Sequence, residues 1–403
     1  MNAVGIDVSK GKSMVAVLRP FGELVVSPRE VRHTASELKE LANSLKSLDG
    51  ETRVILEHTG RYYEPVVQIL HNAGIYVSAV NPLLIRQYGN NSLRKVKTDK
   101  ADAVKIAKYG LDNWTELREH NFMETARLQL KNLNRQYGLY CKNKTAFKNN
   151  LIALLDQTYP GVNALFGSPT REDGSQKWVD FIASFWHMDC VRSMSLATFT
   201  ERYRKWCRRH NYNFSTAKAS EIYEHTSDLI CILPKDVSTK ILVQEAVAQL
   251  NSVSRTVEVL RAEMDRLAKQ LPEYPVAMAM YGVGGSIGPQ LMAEIGDVCR
   301  FAHKGSLTAF AGVDPGANQS GTHESKSNSS SKRGSPRLRA TLFVLMTVLL
   351  QKAPPDDPVF QFLDKKRAEG KPYYVYMTAG ANKFLRIYYG RVREYLASLN
   401  TSD

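Results

Sequence analysis

Asp7 lies within GIDVS, Glu57 follows the apolar run VIL in VILEHTG, and Asp99 and Asp102 stand three apart in KTDKADA. An acidic residue in an otherwise apolar segment, as at Asp7, is hard to dismiss because burying an unpaired charge is costly. Glu57 closes a second apolar segment, and Asp99 and Asp102 share one face if KTDKADA opens a helix. Four acids gathered in one place repel one another unless cations compensate them. Two Mg²⁺ ions would do so, and would also orient a nucleophile and a leaving group at a phosphodiester. Taken singly, Glu57 reads equally as an ordinary strand-end carboxylate, and Asp99 and Asp102 as a helix N-terminus with a solvated face. Only the ordered set on suitable elements carries the metal reading.

Those elements can be read from periodicity. Residues 1–33 alternate as strands, in AVGIDVS, KSMVAVLRP and GELVVSPREV. A helix follows, with Leu38, Leu41, Leu45 and Leu48 at helical spacing. TRVILEH reads as a buried strand, Tyr62–Asn72 as a helix, IYVSAV as a strand and Asp99–Leu111 as a helix. Three strands, helix, strand, helix, strand, helix is the order of an RNase H-like α/β domain, bounded near Trp114 and so occupying residues 1–114. Long helices are expected over about Glu124–Leu155 and Ser238–Leu271, with apolar stripes through Leu133, Tyr137, Phe147 and Leu151 and through Leu242, Ala246, Leu250 and Val253. They predict an antiparallel coiled coil formed by segments 115–160 and 236–272, around an insert, 161–235, whose fold the pattern leaves open. Residues 273–403 make a mostly helical C-terminal domain, opening with the glycine-rich YGVGGSIG, whose Gly282, Gly284 and Gly285 suit either a phosphate-binding hairpin or a plain tight connector.

The balance of 54 Lys+Arg against 40 Asp+Glu leaves a net charge of +14, which favours a polyanionic partner. Arg127, Lys131 and Arg135 recur every four residues, and Lys142, Lys144 and Lys148 continue a ridge with almost no acids. That ridge is expected to meet a nucleic-acid backbone. In ERYRKWCRRHNYN, Tyr203, Trp206 and Tyr212 alternate with cations including Arg204, Lys205 and Arg208; this suits RNA, with an amphipathic helix around a core tryptophan as the alternative. Arg94, Lys95, Lys97 and Lys100 flank the acidic helix and are expected to guide a scissile strand. Five scattered cysteines without a CxxC pair indicate neither zinc nor disulfides, and the longest apolar run, Ala340–Leu350, is about half the ~20 residues of a membrane span. A protein of the bacterial cytoplasm, associated with the nucleoid and not the membrane, is expected.

GIDVSK, LEHTGRYYEP, VNPLLIRQY and KTDKADA, in this order, resemble the N-terminal domain of the insertion-sequence-110 transposases, the bridge-RNA-guided recombinases. The resemblance continues in MYGVGGSIGPQLMAEIGD, FAHKGSLTAFAGVDPGANQSG, SKRGSPRLRATL and KKRAEGKPYYVYMTAGANKFLRIYY. It implies a RuvC-like domain whose Asp-Glu-Asp-Asp metal site is Asp7, Glu57, Asp99 and Asp102. It implies also a C-terminal transposase domain in which Ser320, within Gln319-Ser320-Gly321, is the nucleophile that joins covalently to DNA. A homo-oligomer, dimer or tetramer, in which domains of different subunits complete one active site, and a structured guide RNA pairing with target and donor DNA are further implications.

Without the resemblance, Ser320 is one serine among many in a Ser/Asn/Gly-rich stretch that reads as a loop. A serine hydroxyl is a poor nucleophile until a base or metal assists it. Lys332, Arg333, Arg337 and Arg339 follow and suit either a transferred phosphate or a solvated loop. The leading expectation is an RNA-guided DNA recombinase; a metal-dependent RuvC-like endonuclease without serine chemistry, and a nucleic-acid-binding scaffold, are the alternatives.

Overall fold

Strand alternation sorts the first 80 residues onto two sheet faces. The computed structural model describes residues 1–403 except 59, 61, 89–97, 121–124, 315–318, 321–322, 325–329 and 401–403, and only the backbone of 319, 320, 323, 324 and 400. The chain divides into two compact units, Met1–Phe122 and Met123–Asp403.

In the first unit, β1 (Asn2–Ser9), β2 (Lys12–Leu18) and β3 (Leu24–Arg32) form an antiparallel meander. Helix α1 (Ala35–Lys46) leads to β4 (Thr52–Glu57), and α2 (Glu64–Asn72) leads to β5 (Tyr76–Val80); then come α3 (Pro82–Tyr88) and α4 (Asp99–Asp112). The strand order is β3-β2-β1-β4-β5, with β4 parallel to both β1 and β5. That mixed sheet, a meander continued by two parallel strands through helical crossovers, is the RNase H-like arrangement. One face buries Val4, Ile6, Val54 and Leu56 under Leu38 and Leu41 of α1 and Val66 and Leu70 of α2. The other buries Ala3, Ala16 and Ile55 under Ala103, Ile106 and Ala107 of α4. Each large aliphatic side chain so removed from water contributes about 1.5–3 kcal/mol. Arg53 pins the exit of α4, donating to the Trp114 carbonyl at 2.5 Å with its guanidinium 4.6 Å from that ring's centroid.

The second unit is helical. Helix α5 (Thr125–Thr158) begins beyond Glu124, which lies outside the described residues, and α6 (Lys177–Ser184), α7 (Asp189–Arg192), α8 (Leu196–Arg209) and α9 (Thr216–His225) form the insert. Helix α10 (Val237–Ala268) returns along α5. Leu130 near one end of α5 shares a core with Met264 and Leu267, and Leu151 and Leu155 near the other end share one with Val243 and Leu250, so the two helices are antiparallel. The buried stripe of α10 starts at Val243, while the expected Leu242 is 49% exposed. With two adjacent apolar residues at a helix start, spacing alone does not choose between them.

Beyond α10 lie α11 (Tyr274–Met278), α12 (Ile287–Ile295) and α13 (Lys304–Ala311), the short strands β6 (Gln319–Ser320) and β7 (His323–Glu324), then α14 (Pro336–Lys352), α15 (Pro358–Ala368) and α16 (Tyr373–Asn400). Their core gathers Leu291, Leu338, Leu342, Leu345, Phe384 and Tyr388.

Candidate active site

The parallel register of β1 and β4 pairs Ile6 with Leu56, so Asp7 and Glu57 are the next residues along two neighbouring strands. Alternation puts them on the face of Ala3, Gly5 and Ile55, the face that α4 covers. Gly5 is what lets α4 come so near: a Cβ there would stand 2.1 Å from the Ala103 carbonyl oxygen and 2.4 Å from the Ala107 nitrogen. Thr98 caps α4, its hydroxyl accepting from the Ala101 amide at 3.2 Å, and Asp99 and Asp102 occupy the first turn. Both lie on the stripe that continues through Ala103, Ile106 and Gly110 into the sheet contact, so the first turn of α4 carries its carboxylates toward the ends of β1 and β4.

Asp7, Glu57 and Asp102 are half-buried and Asp99 is exposed. Burial pushes the Asp7 carboxyl up to about 6, with the charges of Asp102 and then Asp99 acting in the same direction. Glu57 is raised first by burial and then by Asp7, with Lys105 opposing and Asp102 adding. Charges from three elements thus reach one place: Asp102 and Asp99 of α4 act on Asp7 of β1, and Asp7 and Asp102 act on Glu57 of β4. Among the described residues, no three of them bring carboxylate oxygens within 4.8 Å of one another. Hard oxygen donors of this kind fit a hard divalent cation rather than a softer metal; Asp7, Glu57, Asp99 and Asp102 are the residues that would hold it.

Ser320 ends β6, paired to His323 of β7. The loop bearing this hairpin is tied at its base. The Ser331 hydroxyl donates to the Asp314 carboxylate at 2.5 Å and its amide to the Asp314 carbonyl at 3.0 Å, while the Ser335 amide reaches the Phe310 carbonyl at 2.6 Å. Gly334 has no alternative there, since a Cβ would lie 1.8 Å from the Phe310 oxygen. Ser335 also caps α14 and donates to the buried Glu294 of α12 at 3.0 Å, which Asn134 of α5 holds from the other side at 2.8 Å.

Known proteins resolve the family. Residues 4–160 match a family model described as Transposase, for the DEDD transposases of insertion sequence 110. Residues 274–360 match the model of the Transposase IS116/IS110/IS902 family, and together the two cover more than half of the chain. The chain belongs to the insertion-sequence-110 family of transposases.

This transposase, a DNA recombinase by family, is 23% identical over 346 residues to the pilin gene-inverting protein of Moraxella bovis, covering 85% of this chain and 80% of that one. The pilin gene-inverting protein of Moraxella lacunata matches to the same extent. A solved Thermus thermophilus RuvC structure is similar at 16% identity over 29% of this chain and 96% of that one, with a TM-score of 0.23.

The structure redistributes the basic residues of the transposase. Arg127 is no part of a nucleic-acid ridge: it is buried at 6% exposure, and its guanidinium grips the Glu273 carboxylate with two hydrogen bonds, one of 2.8 Å and one shorter. Arg339 is half-buried and donates to the Ala311 carbonyl at 3.0 Å, which makes it a strut of the loop base. Lys131, Arg135 and Lys144 are half-buried, and Lys100, Lys142, Lys148, Lys332, Arg333 and Arg337 are exposed. Arg94, Lys95 and Lys97 lie outside the described residues.

The aromatic reading of the insert is corrected as well. Tyr203 and Trp206 are core residues of α8, stacked on each other at 5.6 Å among Phe181, Phe185 and Phe199. Tyr212 stacks on Trp206 at 5.3 Å and donates to Asp180 at 2.6 Å. Because these rings meet one another, none of the three is free as a platform for bases, while Arg204, Lys205 and Arg208 remain on the exposed side of the helix. A cluster that the sequence reading missed is His187, Asp189 and Cys231, whose donor atoms lie within 4.8 Å of one another. His187 has both ring nitrogens engaged, one with the Leu233 carbonyl at 3.0 Å and one with the Asp189 amide at 3.1 Å, and serves as a buried tie. Its signal, HxD far from a lone cysteine, is too common to mark it in advance.

Proposed function

We propose that this transposase cuts and rejoins DNA through a covalent intermediate on Ser320, assisted by Mg²⁺ at Asp7, Glu57, Asp99 and Asp102. The supporting observation is that carboxylates from β1, β4 and α4 come close enough for Asp99 and Asp102 to raise Asp7, and for Asp7 and Asp102 to raise Glu57. When bound, the cation supplies charge compensation and polarises the phosphodiester. In the cutting step the Ser320 oxygen forms a bond to phosphorus as the bond to one deoxyribose oxygen breaks, and the serine proton ends on that released oxygen by way of solvent. Rejoining reverses the balance: a deoxyribose hydroxyl from the partner strand attacks the phosphoserine and restores the serine hydroxyl. The exposed Lys332, Arg333 and Arg337 flank the loop and offset the phosphate charge. By the family resemblance, a structured guide RNA selects target and donor by base pairing, and the enzyme acts as a homo-oligomer, dimer or tetramer.

The test combines protein, guide RNA, a suicide DNA and Mg²⁺ and looks for a denaturant-stable protein–DNA adduct, expected in the native protein and absent from Ser320→Ala. An adduct persisting in that variant refutes the serine, and cleavage without any adduct identifies a metal-dependent endonuclease instead. Cleavage unchanged in Asp7→Ala or Asp102→Ala refutes the carboxylate site.

A further inference from the structure

Helices α15 and α16 and the start of α13 line an open pocket of about 460 Å³, with Lys304, Phe362, Asn382, Lys383, Arg386 and Ile387 among its walls. We propose that this pocket binds a phosphodiester of the DNA strand on which Ser320 acts; the identity of that strand rests on the function proposed above.

Charge is the first argument. Several surface cations elsewhere in this unit are paired within a turn of their own helix, among them Arg204 with Glu201, Lys218 with Glu221, Arg261 with Glu258, Arg266 with Glu263, Lys269 with Asp265 and Lys366 with Glu369. Lys304, Lys383 and Arg386 are exposed, form no ion pair with a described carboxylate, and share a pocket with no acidic lining residue. Three uncompensated cations in a concavity walled by Phe362 and Ile387 concentrate positive potential, because low-dielectric walls focus the field. The lysines act as point charges and the planar guanidinium offers two parallel donors, a set that matches phosphate oxygens. The volume falls within the ~300–1,000 Å³ of small-ligand sites, enough for a backbone phosphate with its sugar.

Position is the second argument. The Asn382 amide donates to the Val313 carbonyl at 3.4 Å, and Val313 directly precedes Asp314, the first foot of the Ser320 loop. A phosphate held in the pocket thus lies beside that foot, and this adjacency favours the DNA strand over a guide RNA.

The experiment measures binding of the full chain to duplex DNA and, separately, to a structured RNA, across a salt series in EDTA so that no cleavage chemistry enters. Lys383→Ala/Arg386→Ala is compared with Lys39→Ala/Lys46→Ala, an equal charge loss on α1, which packs on the sheet face opposite the carboxylates. The pocket variant should lose about tenfold in DNA affinity near 0.15 M salt, with a salt slope shallower by about one, as expected for the loss of one phosphate contact. RNA affinity should stay within about twofold and the melting temperature should not change, since both side chains are exposed. DNA affinity and slope equal to those of the α1 variant, or a loss confined to RNA, would overturn the proposal. Because neither Ser320 nor the carboxylates take part in the measurement, a failed adduct assay and a failed binding assay remain distinguishable.

Discussion

On folding, Asp7 gives up part of its water and acquires two acidic neighbours, so its carboxyl titrates near 6 instead of its ordinary 3.8. A raised acid contributes stability that is fully present below its unfolded value and lost as pH rises through the folded one. The metal-free protein should therefore become more stable at this site as pH falls from about 7 toward 4, and Glu57, shifted in the same direction, adds to the trend. Asp7→Asn should raise stability in EDTA at pH 7.5 by on the order of 1–2 kcal/mol after solvent screening is allowed for, while abolishing cleavage. Thermal melts across pH check this, and a variant no more stable than the native protein at pH 7.5 would contradict it. Arg127 teaches the opposite lesson about charge. Arg127→Ala strands Glu273 in the core and should cost about 3–5 kcal/mol, whereas Arg127→Met with Glu273→Leu should recover most of that loss. Chemical denaturation of the two variants is the measurement, and equal destabilisation would count against the pair acting as a unit. The four-residue rhythm of Arg127, Lys131 and Arg135 was legible, but Glu273, 146 residues away, was not.

At the scale of elements, strands and helices of the first unit announce themselves by period, and so does the placing of acids at their ends. That α4 lies directly on β1 depends on Gly5, a residue that reads as unremarkable in GIDVSK. Gly5→Ala should push α4 from the sheet, cost at least the upper part of ~1–3 kcal/mol and lower cleavage by displacing Asp99 and Asp102 together. Gly138→Ala is the control: nothing lies within 4 Å of a Cβ there, and a helix-interior alanine should stabilise α5 by about 0.5–1 kcal/mol. If Gly5→Ala melts and cleaves like the native protein, the close approach does not position the site. In helix α8, Tyr203, Trp206 and their interleaved cations suit an RNA surface by sequence, with an amphipathic helix as the alternative. Burial of Tyr203 at 0% and Trp206 at 6% decided for the helix.

For the molecule as a whole, the net charge of +14 predicts strongly salt-dependent nucleic-acid binding. With 6–10 phosphate contacts, affinity should fall by about 10³–10⁵ between 50 and 200 mM salt; titrations over that range check it, and a nearly flat response would exclude backbone contact as the main source of affinity. No described helix is long and apolar enough to cross a membrane.

The sequence by itself determined what repeats locally: the order of strands and helices, the acids at their ends, and the sign of the total charge. Only the tertiary structure decided which cations stand free and which are consumed by a remote partner, which aromatic rings are core, and that carboxylates from three elements repel one another at one end of the sheet. Periodicity acts over a turn or a pleat and is written in neighbouring residues, whereas an ion pair, a ring stack or a glycine contact joins positions whose separation along the chain carries no signal of their meeting.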